Sequence, residues 1–183
     1  PSFSIHDLRQ AGDAAIEKLE GEVKLWIYGC ENAVDVASLD LPAVTAITLN
    51  CLANVPPSFV DYSLHSKRVD GVLLTGCRQG DCQYRLGNQW VEDRFTGKRE
   101  PYLRARVDMR RIKMIWAGQG DQAVLKREIE AFIEDLKVLK AEGVPLGDSS
   151  VDPSEKEALA AGLSASVVGK KVVKPSAQEN RHE

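Results

Sequence analysis

Four cysteines, Cys30, Cys51, Cys77 and Cys82, are the residues of this 183-residue chain whose side chains could do chemistry together. The last two stand as Cys77-Arg78-Gln79-Gly80-Asp81-Cys82, a C-x4-C spacing that also occurs in plant-type ferredoxins, where a loop wraps an iron–sulfur cluster. The sequence opens with neither the charged nor the apolar stretch of a secretory leader, so the thiols are expected in a reducing compartment, where structural disulfides are disfavoured. Zinc knuckles use C-x2-C and thioredoxin-like pairs use C-x-x-C, and neither spacing occurs here. Three uses of the thiols stay open on spacing alone. They are an iron–sulfur cluster on all four, a dithiol–disulfide couple between Cys77 and Cys82, and a structural zinc. A lone free cysteine is by default a small buried hydrophobe, and four at related positions argue against that default.

Around the C-x4-C loop, Gly76, Gly80 and Gly87 allow the backbone to come close and aim N–H groups at sulfur. Asp81 is expected to cap a helix whose first turn begins near Cys82. Gly76, Gly80 and Asp81 are therefore the expected surroundings of the thiols. No G-x-S-x-G elbow, P-loop or G-x-G-x-x-G occurs, and His6, His65 and His182 lack ligand spacing. The chemistry expected is electron or thiol transfer rather than substrate turnover.

The elements that must position the cysteines can be read from hydrophobic pattern. Ser4 and Asp7 have capping-box spacing, and Ile5, Leu8, Ala15, Ile16 and Leu19 mark one face of a first helix that Gly21 ends. Short apolar runs at residues 23–28, 44–49, 71–75 and 112–116 read as strands. The first three run directly into Cys30, Cys51 and Cys77. Residues 122–142 carry Leu125, Ile129, Phe132, Leu136 and Leu139 at helical spacing. Strands joined by crossovers make a parallel sheet. The expected fold is α/β, three-layered, with a mainly parallel four-stranded sheet of flavodoxin or Rossmann type, flanking helices and a flexible C-terminal tail. Ligands of such sheets bind at the carboxyl ends of the strands, where the cysteines fall. The expected organisation is a helix over residues 1–21, an iron–sulfur α/β domain over 22–146 and a flexible or partner-ordered tail over 147–183.

A net charge of −3 gives no reason to expect nucleic acid. No apolar run reaches the length of a membrane span, so the chain is expected in the cytoplasm, either free or held at the membrane by a partner. Residues 83–116 carry nine basic side chains against four acidic ones. That excess reads either as a solvated face or as a docking surface for an acidic redox partner. Trp90 and Trp116 in this stretch read as packing anchors.

The string GVLLTGCRQGDCQYRLGN over residues 71–88 resembles the delta subunit of methyl-viologen-reducing hydrogenases, with its G-C-x-x-G-D-C-x-Y-x-x-G-N signature. The similarity runs over about residues 22 to 142 and takes in Cys30 and Cys51. It implies a [2Fe–2S] protein, with Cys30, Cys51, Cys77 and Cys82 as ligands. Such a protein would pass electrons within a hetero-oligomer, from a hydrogenase, formate dehydrogenase or NADH-linked donor to a heterodisulfide-reductase-like flavoprotein. The chain departs from the family pattern at several positions. Ile27 stands where a further cysteine is usual, Arg78 and Gln83 where histidines are, and Leu52-Ala53-Asn54 where Gly-Arg is usual.

Overall fold

The computed structural model describes residues 4–65 and 68–143; the expected tail lies outside them. The elements in order are α1 (Ile5–Glu17), β1 (Leu25–Cys30), β2 (Val44–Leu49), α2 (Pro57–His65), β3 (Gly71–Gly76), α3 (Gly87–Phe95), β4 (Ile112–Trp116) and α4 (Gln122–Ala141), with short 3-10 turns between some of them. The capping box opens α1 as expected. Ser4 Oγ accepts from the Asp7 N–H, and the Asp7 carboxylate accepts from the Ser4 N–H at 3.0 Å.

All four strands are parallel, in the order β2-β1-β3-β4. The α/β class with a parallel four-stranded sheet is as the pattern requires. Central strands of such a sheet are covered on both faces and need apolar residues throughout. Every residue of β1 and β3 is buried, whereas the edge strand β2 is mostly half-buried. Alternation divides the core in two. Trp26, Tyr28 and Cys30 of β1 join Val72, Leu74, Met114 and Trp116 under α1, α2 and α3. Leu25, Ile27, Leu73 and Ile115 face the opposite way, onto α4.

The apolar stripe of α4 is buried along its length, from Leu125 to Leu139. The fit is close at Gly71, where a Cβ would stand 2.4 Å from Leu136 Cδ1. The first residue of β3 thus has no side chain because α4 occupies that space. On the other face α1 buries Ile16, with Leu19 just beyond its end, so this helix belongs to the same core as the sheet.

Candidate site at the strand ends

In a parallel sheet ordered β2-β1-β3-β4, the chain leaves β1 toward one side and returns past it to the other. The crevice between the carboxyl ends of β1 and β3 is the switch point where such folds bind ligands. Cys30 is the last residue of β1 and Cys77 follows β3 directly. Their sulfurs stand 3.9 Å apart. Cys51, just past β2, opens the 3-10 turn Leu52–Asn54, and Cys82 lies in the loop between β3 and α3. All four are free thiols. Cys30, Cys51 and Cys77 are buried and Cys82 is half-exposed. The fold therefore gathers every sequence-predicted thiol at one edge of the sheet, although Cys30 and Cys77 are 47 residues apart in the chain.

The second pair is defined by a glycine. A Cβ on Gly87, the first residue of α3, would lie 2.8 Å from Cys51 Sγ and 2.9 Å from Cys82 Sγ. Both sulfurs thus crowd against the start of a helix, where N–H groups are unpaired and the dipole favours negative charge. Leu86, the residue before α3, makes no side-chain cap there. The thiols arrange as two pairs, Cys30 with Cys77 and Cys51 with Cys82. Among the described residues, no three His, Cys, Asp or Glu side chains converge to hold a single ion.

Burial is the main influence that pushes the Cys51 and Cys77 thiols above their ordinary range, and the neighbouring cysteines push the same way. Backbone N–H groups of Ala53 and Gln83 act against this by donating to Cys51 and Cys77 respectively. The Cys30 and Cys77 thiols also point at carbonyls, Asn50 O at 3.6 Å and Asn32 O at 3.8 Å. Cys51 and Cys77, raised by burial, hold their protons until something of positive charge replaces them.

The loop carrying Cys77 and Cys82 is held from three sides. Buried Asn88 donates through Nδ2 to Cys77 O at 2.6 Å. Arg78 grips Asp121, at the start of α4, through Nε and a second nitrogen at 2.6 and 2.5 Å, and Asp121 also accepts the Gly118 N–H at 2.8 Å. Gln79 donates to Glu92, which also takes the Trp116 indole N–H, each at 2.6 Å. Across the site, Arg94 fixes the turn after Cys51 by donating to Ala53 O at 2.6 Å.

Two expectations need correction. Asp81 caps no helix, because α3 begins at Gly87. Asp81 sits exposed in the loop, with its N–H bonded to Arg78 O at 3.0 Å. Nor does close approach to sulfur explain Gly76 or Gly80. A Cβ on Gly76 would press on Trp116 and Asn88, and one on Gly80 would meet nothing within 4 Å. Gly80 is required instead by its φ of +88°. Gly87, Asn88 and Asp121 are the residues that shape the site. The first two close the signature over residues 71–88, whereas nothing in the pattern around Asp121 marked it.

Much of the basic excess is consumed internally. Arg104 and Arg106 both pair with buried Asp61, Arg110 with Asp108 and Lys113 with Glu128. Arg111 is buried and donates to Asp70 O, and Arg99 lies over the Trp90 ring. Trp116 is buried in the core, as expected of a packing anchor. No described helix is long and apolar enough to cross a membrane.

The chain is 25% identical over 131 residues to one component of the ferredoxin/F(420)H(2)-dependent CoB-CoM heterodisulfide reductase of Methanosarcina acetivorans, covering 71% of this chain but 16% of the relative. A second relative, a component of the ferredoxin:CoB-CoM heterodisulfide reductase of Methanosarcina mazei, is 26% identical over 60% of this chain and 14% of its own length. This chain therefore spans less than a fifth of those relatives. The iron-sulfur subunit of the F420-non-reducing hydrogenase of Archaeoglobus profundus is 28% identical, over 55% of this chain and 75% of that protein. The family described as methyl-viologen-reducing hydrogenase, delta subunit, matches residues 26–140, which include every strand but the first residue of β1, all four cysteines and most of α4, and the chain belongs to that family.

Proposed function

We propose that this chain binds one [2Fe–2S] cluster on Cys30, Cys51, Cys77 and Cys82 and relays electrons inside a hetero-oligomeric redox complex. The pairing of the thiols carries this reading. A [2Fe–2S] cluster takes four thiolates, two on each iron, so it asks for two pairs rather than four donors around one point. Two sulfurs on one tetrahedral metal with bonds of about 2.3 Å lie roughly 3.8 Å apart, and Cys30 and Cys77 stand at 3.9 Å. A structural zinc would instead draw all four donors around a single ion, whereas the described thiols stand as two pairs. Cys30 and Cys77 would hold one iron, and Cys51 and Cys82 the other.

When bound, the cluster supplies a one-electron carrier. The protein's own part is positional. The start of α3 and the N–H groups of Ala53 and Gln83 meet negative charge on sulfur. Asn88 and the Arg78–Asp121 fork hold the loop, and three buried cysteines leave Cys82 as the side open to a neighbour. The partners proposed are a hydrogenase, formate dehydrogenase or NADH-linked donor and a heterodisulfide-reductase-like flavoprotein. Support for the second comes from the Methanosarcina relatives, in which a segment similar to this chain is part of a heterodisulfide reductase polypeptide itself.

The test is anaerobic purification followed by an absorption spectrum, iron, sulfide and zinc analysis, and EPR after dithionite. About two irons per chain and a reduced S = 1/2 signal support the proposal. A colourless, iron-free protein after anaerobic reconstitution overturns it, and the zinc analysis then decides between a structural zinc and a dithiol couple. The structure would then give that couple to Cys30 and Cys77 rather than to Cys77 and Cys82.

A further inference from the structure

Between α1 and α2, on the sheet face that carries Cys30, lies a cavity of about 190 Å³. Its walls are aromatic, with Trp26 and Tyr28 from β1 and Phe59 and Tyr62 from α2. On the α1 side stands Gly12, where a Cβ would meet only the Trp26 ring, at an ordinary 3.5 Å. A Cβ is therefore admissible there, and a longer side chain would extend toward the Trp26 ring and the cavity. Inside, the Trp26 indole N–H is buried and approaches the Tyr28 phenol without closing a hydrogen bond of ordinary geometry. It is a buried donor lacking a full acceptor, on the wall of a cavity.

The mouth is charged asymmetrically. Asp13 is taken by Arg68 at 2.6 Å. The Arg9 guanidinium lies 4.4 Å over the Tyr62 ring, and among the described residues no carboxylate pairs with it. A stacked guanidinium keeps its edge donors free for a carboxylate. The space suits one or two fused six-membered rings, since a cavity of roughly 150 Å³ takes benzene.

We propose that this cavity binds a planar aromatic acid of one or two fused rings. The ring system lies among Trp26, Tyr28 and Tyr62, a hydroxyl oxygen on the ring accepts from Trp26 Nε1, and the carboxylate meets Arg9. This site does not use the cysteines, so it stands whether or not they carry a cluster. It is nevertheless close to them, because Tyr28 and Cys30 are alternate residues of one strand, about 7 Å apart along it.

The experiment is calorimetric titration of the full chain with 1-hydroxy-2-naphthoate and, in parallel, with its uncharged amide. Saturable one-to-one binding of the acid is expected. Arg9→Gln should weaken the acid about tenfold, the worth of one charge-assisted contact, and leave the amide unchanged. Gly12→Leu should abolish both while the far-UV CD and thermal midpoint stay at wild-type values. Absence of saturation by about 1 mM, a limit of roughly −4 kcal/mol, overturns the site. Undiminished binding to a folded Gly12→Leu protein does the same, and equal affinity for acid and amide overturns the assigned ligand class.

Discussion

Replacing Gly87 by alanine isolates the sulfur cradle from the fold. A methyl group there falls 2.8 Å from Cys51 Sγ and 2.9 Å from Cys82 Sγ, about 0.8 Å inside the roughly 3.6 Å at which carbon and sulfur rest comfortably. Overpacking of this kind costs about 1–3 kcal/mol. Alanine is at the same time the better helix former, by up to about 1 kcal/mol, so the helix itself is not harmed. The iron-free protein can let the Cys82 loop give way, because that loop is exposed; a protein whose thiolates are fixed on metal cannot. Under the proposed function, cluster retention should therefore fall by roughly 5- to 140-fold while the iron-free fold stays near wild type. The assay is iron and sulfide content after anaerobic reconstitution, the rate of iron loss to a chelator, and CD melting of the iron-free form. Gly120→Ala, where a Cβ meets nothing, is the control. Wild-type iron content and chelator resistance in Gly87→Ala would refute the cradle.

Three further outcomes are expected. Asn88→Ala removes the donor to Cys77 O and should cost about 1–3 kcal/mol of stability, with faster proteolysis in the loop before α3, both measurable on the iron-free protein. Leu136→Ala, opposite Gly71, should lower stability by about 2–5 kcal/mol in denaturant melts without changing iron content. Burial pushes the Tyr28 phenol up to about 12 from 10.0. The folded state therefore keeps a proton that the unfolded chain releases, so stability is full below pH 10 and declines between pH 10 and 12. The loss is up to about 3 kcal/mol, and Tyr28→Phe should flatten that decline in pH-dependent melting.

The strands and α4 were legible because their signals are local. Each of the first three strands is a short apolar run that ends at a cysteine, and β2 and β4 fall where the pattern places them, at Val44–Leu49 and Ile112–Trp116. The helices α2 and α3 were not, for a physical reason. The buried side of α2 includes Asp61 and Ser63, and that of α3 includes Gly87 and Asn88, so neither writes an apolar stripe. Asp61 is buried because two arginines meet it, and those arginines lie more than 40 residues further on. The same distance effect hid Asp121, whose role depends on Arg78 across the sheet edge. Gathering of the four thiols was legible from topology; their division into Cys30–Cys77 and Cys51–Cys82 depends on the loop before α3, which no periodicity describes.

The separation of the paired cysteines along the chain sets an order of assembly. Cys30 and Cys77 stand 47 residues apart in the sequence, and the second pair is completed only when Gly87 has begun α3. Under the proposed function, no nascent chain that stops short of α3 offers a finished receptor for iron, so loading would follow the meeting of β1, β2 and β3, although β4 comes later in the chain. A metal held by Cys30 and Cys77, as proposed, would tie β1 to the end of β3, and cross-linking a loop of that length removes on the order of 4 kcal/mol of freedom from the unfolded chain. An iron donor would then meet a receptor whose completeness reports that β1, β2 and β3 have already come together.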